Sequence, residues 1–246
     1  MNPNIYLHEI IRTVSGREEP YLASVLSLHH EPSRRGLGHP AFAQFRSVET
    51  SGAWPVGINI WENTWAGQTA DLVGQFQDAQ RDVAMEEWWN RNLHLRRGGY
   101  DRILIPAAYS PTLADLEARG VRGEVFLQEI CWLPFGESRR YLDAVEEQLV
   151  PVLDRLGLDL VGAFRVAMRP RQVLTIIGAP EWNRLGALLD QADRDPALRR
   201  WHEYRASTVE QAEEQVLLPA RHGPLTPWSG RDQGVIATRA TGSAGA

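Results

Sequence analysis

The sequence contains no lysine, and it has only one cysteine, Cys131, among its 246 residues. Without lysine no Schiff base to a protein amine can form, which excludes pyridoxal-phosphate enzymes and lysine-dependent aldolases. The P-loop of nucleotide triphosphatases is excluded for the same reason, because it requires its lysine. One cysteine forms neither an internal disulfide nor a cysteine-based zinc site. These absences favour a protein of a reducing compartment whose chemistry uses other side chains.

Long apolar runs and concentrated positive charge are also missing. No apolar stretch approaches the ~20 residues of a membrane span, and the first ten residues lack the basic and apolar regions of a signal peptide. We therefore expect a soluble, cytoplasmic protein without a membrane partner. The 26 arginines are dispersed and the net charge is −5. This pattern argues against nucleic acid as a partner, because phosphate binding needs a concentrated basic face.

The chain resembles itself in two blocks. Residues 5–25 align with residues 125–145 at seven identical positions, and residues 81–111 align with residues 194–224 at eight. Self-similarity at a nearly fixed offset indicates an internal duplication. The sequence therefore predicts two copies of one structural unit.

Each copy shows the same order of predicted elements: strand, helix, two strands, helix, strand. This βαββαβ order is that of the ferredoxin-like unit, whose sheet carries helices on one face only. Two such units can cover each other's bare faces. The predicted fold class is α+β, with two tandem ferredoxin-like (βαββαβ) units fused as a pseudo-dimeric α/β barrel. The predicted domains are a first unit at 1–118, a second at 119–228 and a disordered tail at 229–246.

The segments that close the two copies, ILIPAAYSP and VLLPARHGP, resemble the C-terminal signature of NIPSNAP domains. The opening strand, glycine turn and Tyr-Leu pair are similar too, and the resemblance covers residues 4–228. It implies the ferredoxin-like α/β-barrel fold. Relatives of that fold include antibiotic-biosynthesis monooxygenases, haem-degrading enzymes, and cofactor-free cyclases and isomerases. The resemblance therefore implies a fold and leaves the chemistry open.

Glu9 and Glu129 occupy equivalent places on the first predicted strands, in apolar surroundings. A buried carboxylate is costly unless it is paired, and the expected partners are Arg46 and Arg165, which are equivalent to each other on the second strands. The alternative is a catalytic Glu9, a general base whose pKa is raised by burial. His8 is a further catalytic candidate, and because side chains alternate along a strand it should point to the face opposite Glu9.

The first copy departs from the second at residues 28–42, where a glycine- and proline-rich segment replaces a continuous helix. Histidine can move protons near neutral pH, and arginine can hold an anion. The catalytic candidates here are His29, His30 and His39, and the substrate-binding candidates are Arg34 and Arg35. One alternative is a solvated loop. Another is a metal site formed by His29, His30 and Glu31, although adjacent histidines seldom reach one ion, so we expect no metal.

Tryptophan is abundant, with nine residues. Trp61 and Trp89 occur only in the first copy, and they are the predicted walls of a pocket for a flat or apolar ligand. The tryptophans that both copies share are expected to pack in the core: Trp65, Trp88, Trp182 and Trp201.

The first functional hypothesis is a small-molecule enzyme of secondary metabolism that performs cofactor-free acid–base chemistry. It would be a cofactor-independent isomerase, cyclase or lyase acting on a small hydrophobic or aromatic molecule by cyclisation, isomerisation or elimination. A second hypothesis is a non-catalytic protein that binds a small molecule or a partner. A third is a haem- or oxygen-dependent monooxygenase with histidine as the axial ligand of the haem. Two fused copies could also assemble further into a homodimer.

Overall fold

The computed structural model describes residues 2–30, 39–76, 83–190 and 194–227. The strands are β1 (Ile5–Thr13), β2 (Ala41–Ser47), β3 (Val56–Asn63), β4 (Arg96–Pro106), β5 (Val125–Trp132), β6 (Asp159–Val166), β7 (Gln172–Ala179) and β8 (Gln211–Pro219). The α-helices are α1 (Glu18–His30), α2 (Trp65–Phe76), α3 (Val83–Asn92), α4 (Leu113–Ala118), α5 (Ser138–Ala144), α6 (Val150–Leu156), α7 (Trp182–Asp190) and α8 (Pro196–Thr208). A π-helical turn, Val145–Leu149, joins α5 to α6. The predicted tail at 229–246 lies outside the described residues.

The strands form one closed barrel in the order β1-β3-β2-β8-β5-β7-β6-β4, with antiparallel neighbours throughout. The predicted fold class of two ferredoxin-like units fused as a pseudo-dimeric α/β barrel is therefore wrong. That prediction relied on two sheets that cover each other's bare faces. Instead, β2 pairs with β8 and β4 pairs with β6, so hydrogen bonds join the two halves into a single sheet. Closure of the barrel removes the exposed edges of the sheet. The sequence pattern of one copy does not reveal this closure, because it depends on pairing between the two copies.

The helical layer also differs from the prediction. A single second helix was expected in each copy, whereas the second copy has two, α7 and α8, the latter capped by Asp195. In the first copy, residues 77–82 between α2 and α3 lie outside the described residues. The first strands end as expected at a glycine turn. Gly16 and Gly136 both adopt left-handed backbone conformations, with φ of 74° and 92°, which favour glycine. No helix within the described ranges is long and apolar enough to cross a membrane.

Two equivalent pairs of aromatic rings join the two copies across the barrel interior. Tyr6 lies 5.1 Å from Phe164, and Phe45 lies 4.8 Å from Phe126, measured between ring centroids. The two pairs correspond, because Tyr6 aligns with Phe126 and Phe45 aligns with Phe164. The four rings are buried together with the aliphatic side chains of the barrel interior. The barrel interior is thus a packed core with an approximate twofold relation.

The helices cover the outer face of the barrel with two further apolar clusters, one over each half. Trp88 and Trp201 are only 5% and 4% exposed in these clusters, so the prediction that they pack is confirmed. The same prediction is wrong for Trp65 and Trp182, which are 54% and 50% exposed. Both are the first residues of their helices, α2 and α7, where a side chain can point to solvent.

Candidate active site

The alternation along β1 separates His8 from Glu9. His8 points into the barrel and is completely buried, with its Nε2 atom 2.8 Å from Oε1 of Gln128. Burial, with a contribution from the charge of Arg102, lowers the pKa of His8 to about 3. His8 is therefore neutral near pH 7 and sealed from solvent. The prediction that His8 and Glu9 face opposite sides is confirmed, and the structure does not bring them together in one site.

Glu9 faces the helical layer of the first half. It lies opposite Asn59 on β3 and Asp101 on β4. Nδ2 of Asn59 donates to Oε2 of Glu9 at 3.1 Å, and the Trp61 side chain also hydrogen-bonds to Glu9. The hydroxyl of Tyr21, from α1, lies 3.5 Å from the same Nδ2 atom. Neutral donors thus hold the carboxylate in place.

The orientation of Asn59 is set from the other side. Nε2 of Gln44 on β2 donates to Oδ1 of Asn59 at 2.8 Å. Because Oδ1 is occupied in this way, the Nδ2 group of the amide is directed toward Glu9. Both amides are buried, with Gln44 1% and Asn59 0% exposed. Three neighbouring strands therefore contribute one row of polar side chains that orients Glu9.

Burial raises the pKa of Glu9 to about 7, and the charge of Asp101 acts in the same direction. The hydrogen bonds from Trp61 and Asn59 and the charge of Arg96 oppose this rise. Burial also raises the pKa of Asp101. A carboxyl group with a pKa near 7 is present in both protonation states at neutral pH, which suits a general acid or base.

A cation lies near Glu9 without pairing with it. The guanidinium of Arg96 stacks on the ring of Trp89, with Cζ 3.0 Å from the ring centroid. Trp89 in turn meets Trp88 edge-to-face at 5.6 Å. Among the described residues, no arginine nitrogen lies within the 4.0 Å of Glu9 that defines a salt bridge. The aromatic stack therefore holds Arg96 beside the site, and the positive charge of Arg96 is not neutralised by Glu9.

The second copy contains the equivalent carboxylate in a different setting. Nη2 of Arg205 on α8 lies 2.5 Å from Oε1 of Glu129. The alignment of the two copies places Asn92 of α3 where the second copy has Arg205. Nδ2 of Asn92 donates to the backbone carbonyl of Trp88 at 2.8 Å. Arg205 thus neutralises Glu129, whereas the residue equivalent to Arg205 in the first copy, Asn92, carries no charge.

The predicted structural ion pairs, Glu9 with Arg46 and Glu129 with Arg165, are wrong. Nε of Arg46 lies 3.4 Å from Oε1 of Glu19, and Arg165 is exposed. The reason lies in the strand order. β3 separates Arg46 from β1, and Arg46 lies opposite Gly57 rather than opposite Asn59, the cross-strand partner of Glu9.

Of the remaining predicted site residues, some lie at the Glu9 site and others do not. Trp61 contacts Glu9 directly, and Trp89 reaches the site through Arg96. His39 lies beside the start of α2, where a Cβ atom placed on Gly67 would come within 2.9 Å of its Cε1 atom. The side chains of His29 and His30, at the end of α1, lie outside those that the structure describes, and so do the whole residues Glu31, Arg34 and Arg35.

Sequence reasoning missed five polar contributors to the site: Tyr21, Gln44, Asn59, Arg96 and Asp101. Two signals were nevertheless present in the sequence. Tyr21 recurs in the second copy as Tyr141, beside the first strand of each unit. The alignment also pairs Asn92 with Arg205, which is a change in charge between otherwise similar helices. Asn59 and Asp101 carried no such signal, because only the strand register brings them opposite Glu9.

His8 is not placed to act as the axial ligand of a haem. A haem needs an axial ligand such as an imidazole with a free nitrogen facing an open cavity. His8 sits inside the packed barrel with Nε2 on Gln128. A surface pocket of about 360 Å³ in the second half has no histidine in its lining. Within the described ranges, no three potential His, Cys, Asp or Glu metal ligands come together.

Comparison with known proteins shows a shared fold. No family model matches the chain, and no curated protein matches its sequence. A candidate monooxygenase from Fusobacterium nucleatum superposes with a TM-score of 0.60 at 6% identity, covering 88% of this chain and 92% of that one. A candidate monooxygenase from Lactobacillus acidophilus superposes with a TM-score of 0.60 at 8% identity, covering 89% of this chain and 94% of that one. An anthrone oxidase-like protein superposes with a TM-score of 0.54 at 9% identity, covering 88% of this chain and 91% of that one.

NIPSNAP family proteins are also among the solved structures similar to part of this chain. A NIPSNAP family protein from Agrobacterium tumefaciens is similar to this chain at 21% identity, with a TM-score of 0.36. The superposition covers 42% of this chain and 96% of the Agrobacterium protein. The match thus involves less than half of the present chain, whereas the candidate monooxygenases match most of its length.

Proposed function

We propose that this protein is a small-molecule enzyme that performs cofactor-free acid–base chemistry on an apolar or aromatic substrate, with Glu9 as the general base. One observation carries the proposal. Glu9 is held by neutral donors and has no arginine within salt-bridge distance among the described residues, whereas the equivalent Glu129 is neutralised by Arg205. A carboxylate kept unpaired in such surroundings is costly for folding, which favours a role in chemistry.

The residues around Glu9 suit the removal of a proton from an acidic C–H bond. The bond breaks, the proton passes to a carboxylate oxygen of Glu9, and the electron pair moves onto an oxygen of the substrate. Arg96 would stabilise that oxyanion, and the substrate is expected to contact the partly exposed ring of Trp89. Return of the proton to another atom completes an isomerisation, and departure of a leaving group completes an elimination.

The pH dependence of a probe reaction tests this assignment. In 5-nitrobenzisoxazole, removal of the C–H proton breaks the N–O bond and releases a coloured cyanonitrophenolate. Glu9 is active as a base only when deprotonated, and its pKa is about 7. Turnover should therefore rise with pH and level off above pH ~8, with a midpoint near 7. Absorbance of the phenolate measures the rate from pH 5 to 9. A rate simply proportional to hydroxide across this range would contradict the proposal.

Oxygen-dependent oxidation is a second candidate function. It is favoured by the fold shared with two candidate monooxygenases and an anthrone oxidase-like protein. The first step would be the same proton transfer to Glu9, here from the CH₂ group of an anthrone. Dioxygen would then oxidise the carbanion, converting CH₂ to C=O and leaving one molecule of water. An oxygen electrode with anthrone as substrate separates the two candidates, since isomerisation or elimination consumes no oxygen.

A further inference from the structure

A pocket of about 360 Å³ opens on the surface of the second half, and all but one of the residues that line it belong to that half. It lies between the turn that joins β6 to β7 and the start of α5. Three arginines line it, Arg139, Arg165 and Arg169, and none of the residues that line it is acidic. All three arginines are exposed. The pocket therefore presents uncompensated positive charge.

The first copy shows what normally occupies this place in the fold. Arg46 is equivalent to Arg165, and its Nε atom lies 3.4 Å from the carboxylate of Glu19. The backbone N–H of Arg221 also donates to Glu19, at 3.2 Å. In the alignment of residues 5–25 with 125–145, the position of Glu19 is taken by Arg139. The second copy thus keeps the arginine of the pair and replaces its carboxylate partner with a second arginine.

The rim of the pocket is apolar. Phe135 and Met168 line it, and they are 80% and 85% exposed. Met168 has a φ of 60°, the one positive φ outside glycine in the described ranges. A side chain in this conformation is strained, and such strain occurs preferentially at ligand-binding positions. The backbone thus holds an apolar side chain in solvent at the edge of a cationic pocket.

We propose that this pocket binds a small organic carboxylate with an apolar body. The carboxylate group would lie between Arg139 and Arg165, in the place that the Glu19 carboxylate takes in the first copy. The apolar body would cover Phe135 and Met168 and remove them from water. Arginine is well suited to this role, because its planar guanidinium donates charge-assisted hydrogen bonds to carboxylate oxygens.

Calorimetric titration with 1-naphthoate tests the proposal on the full chain. Its matched control ligand is 1-naphthalenemethanol, which has the same ring system and no charge. We expect 1-naphthoate to bind at least about 10-fold more tightly than the alcohol, because charge-assisted hydrogen bonds are stronger than neutral ones. Equal affinity for the two ligands, or no binding of either, would overturn the proposal.

Two variants locate the site. Arg165→Gln should weaken 1-naphthoate binding by about 10-fold or more, since it removes one charged donor. Arg139→Glu should remove binding, because it restores the ion pair of the first copy and fills the anion position. Arg46→Gln is the matched control, since it deletes the equivalent arginine of the first copy. Circular dichroism confirms that each variant is folded. Unchanged affinity in both Arg165→Gln and Arg139→Glu, or an equal loss in Arg46→Gln, would refute the assignment.

Discussion

Replacing Glu9 with glutamine is expected to lower the turnover of 5-nitrobenzisoxazole by about 10²–10⁴-fold, which is the usual contribution of one general base. Glutamine has nearly the shape of glutamate and can still accept hydrogen bonds from Asn59 and Trp61, so the site keeps its geometry. What is lost is the ability to take up a proton. The phenolate absorbance assay at pH 8, where wild-type Glu9 is mostly ionised, measures the difference.

The duplication supplies the matched control for this experiment. Glu129→Gln changes the equivalent residue of the second copy, whose carboxylate is already neutralised by Arg205. It should leave the turnover of the folded protein unchanged, when measured at a temperature where circular dichroism shows an intact fold. If Glu9→Gln retains full turnover, or if both variants lose it equally, Glu9 is not the base.

The same two substitutions should change the free energy of unfolding in opposite directions. For Glu9, the pKa of about 7 in the folded state lies above the value of 4.5 that is usual for glutamate. The folded state therefore favours the protonated form, and the stability that this form provides is complete below pH ~4.5 and is lost as the pH rises through 7. Glutamine stays neutral at every pH. Glu9→Gln should thus be more stable than the wild type at pH 8 by about 3 kcal/mol, and equal to it near pH 4.

Glu129→Gln should instead destabilise the protein. Glu129 and Arg205 are 12% and 21% exposed, so the substitution leaves a largely buried arginine without one of its two carboxylate partners. Loss of one member of a fully buried pair costs about 3–5 kcal/mol. Here Arg205 keeps Glu214 at 2.5 Å, so we expect a smaller loss of about 2–3 kcal/mol at pH 7. Urea denaturation at pH 4, 7 and 8 measures both variants. A loss of stability at pH 8 in Glu9→Gln would show that its carboxylate is paired or well hydrated.

The strands were largely predictable from the sequence. Alternating or continuous apolar runs, bounded by glycine and proline, located all eight strands of the barrel to within a few residues, except at the start of β2 and the exposed first halves of β4 and β8. Those first halves are polar, and β4 begins with Arg96, so their pattern does not look like a buried strand. The helical layer was less predictable, because the end of α7 and the start of α8 leave little trace in the apolar periodicity.

The candidate site was predictable in its central residue and not in its partners. Apolar surroundings singled out Glu9, and alternation correctly placed it on the face opposite His8. The proposed partner Arg46 was wrong, because pairing across strands depends on which strands are neighbours, and β3 lies between β1 and β2. Asn59 and Asp101 flank Glu9 only through the register of β3 and β4 against β1.

The sequence by itself determined that the chain is duplicated, that it lacks the residues for lysine- and cysteine-based chemistry, and that each copy carries one carboxylate at the same place on its first strand. Local pattern is sufficient for such statements, because they concern residue types and spacing. Only the tertiary structure decided how the sheet closes and how the two carboxylates differ. Arg205 neutralises Glu129, whereas Arg96 is held on Trp89 away from Glu9. Electrostatic partners are set by distances of a few ångströms between remote segments, and these distances exist only after the barrel has closed and the helices have packed on it.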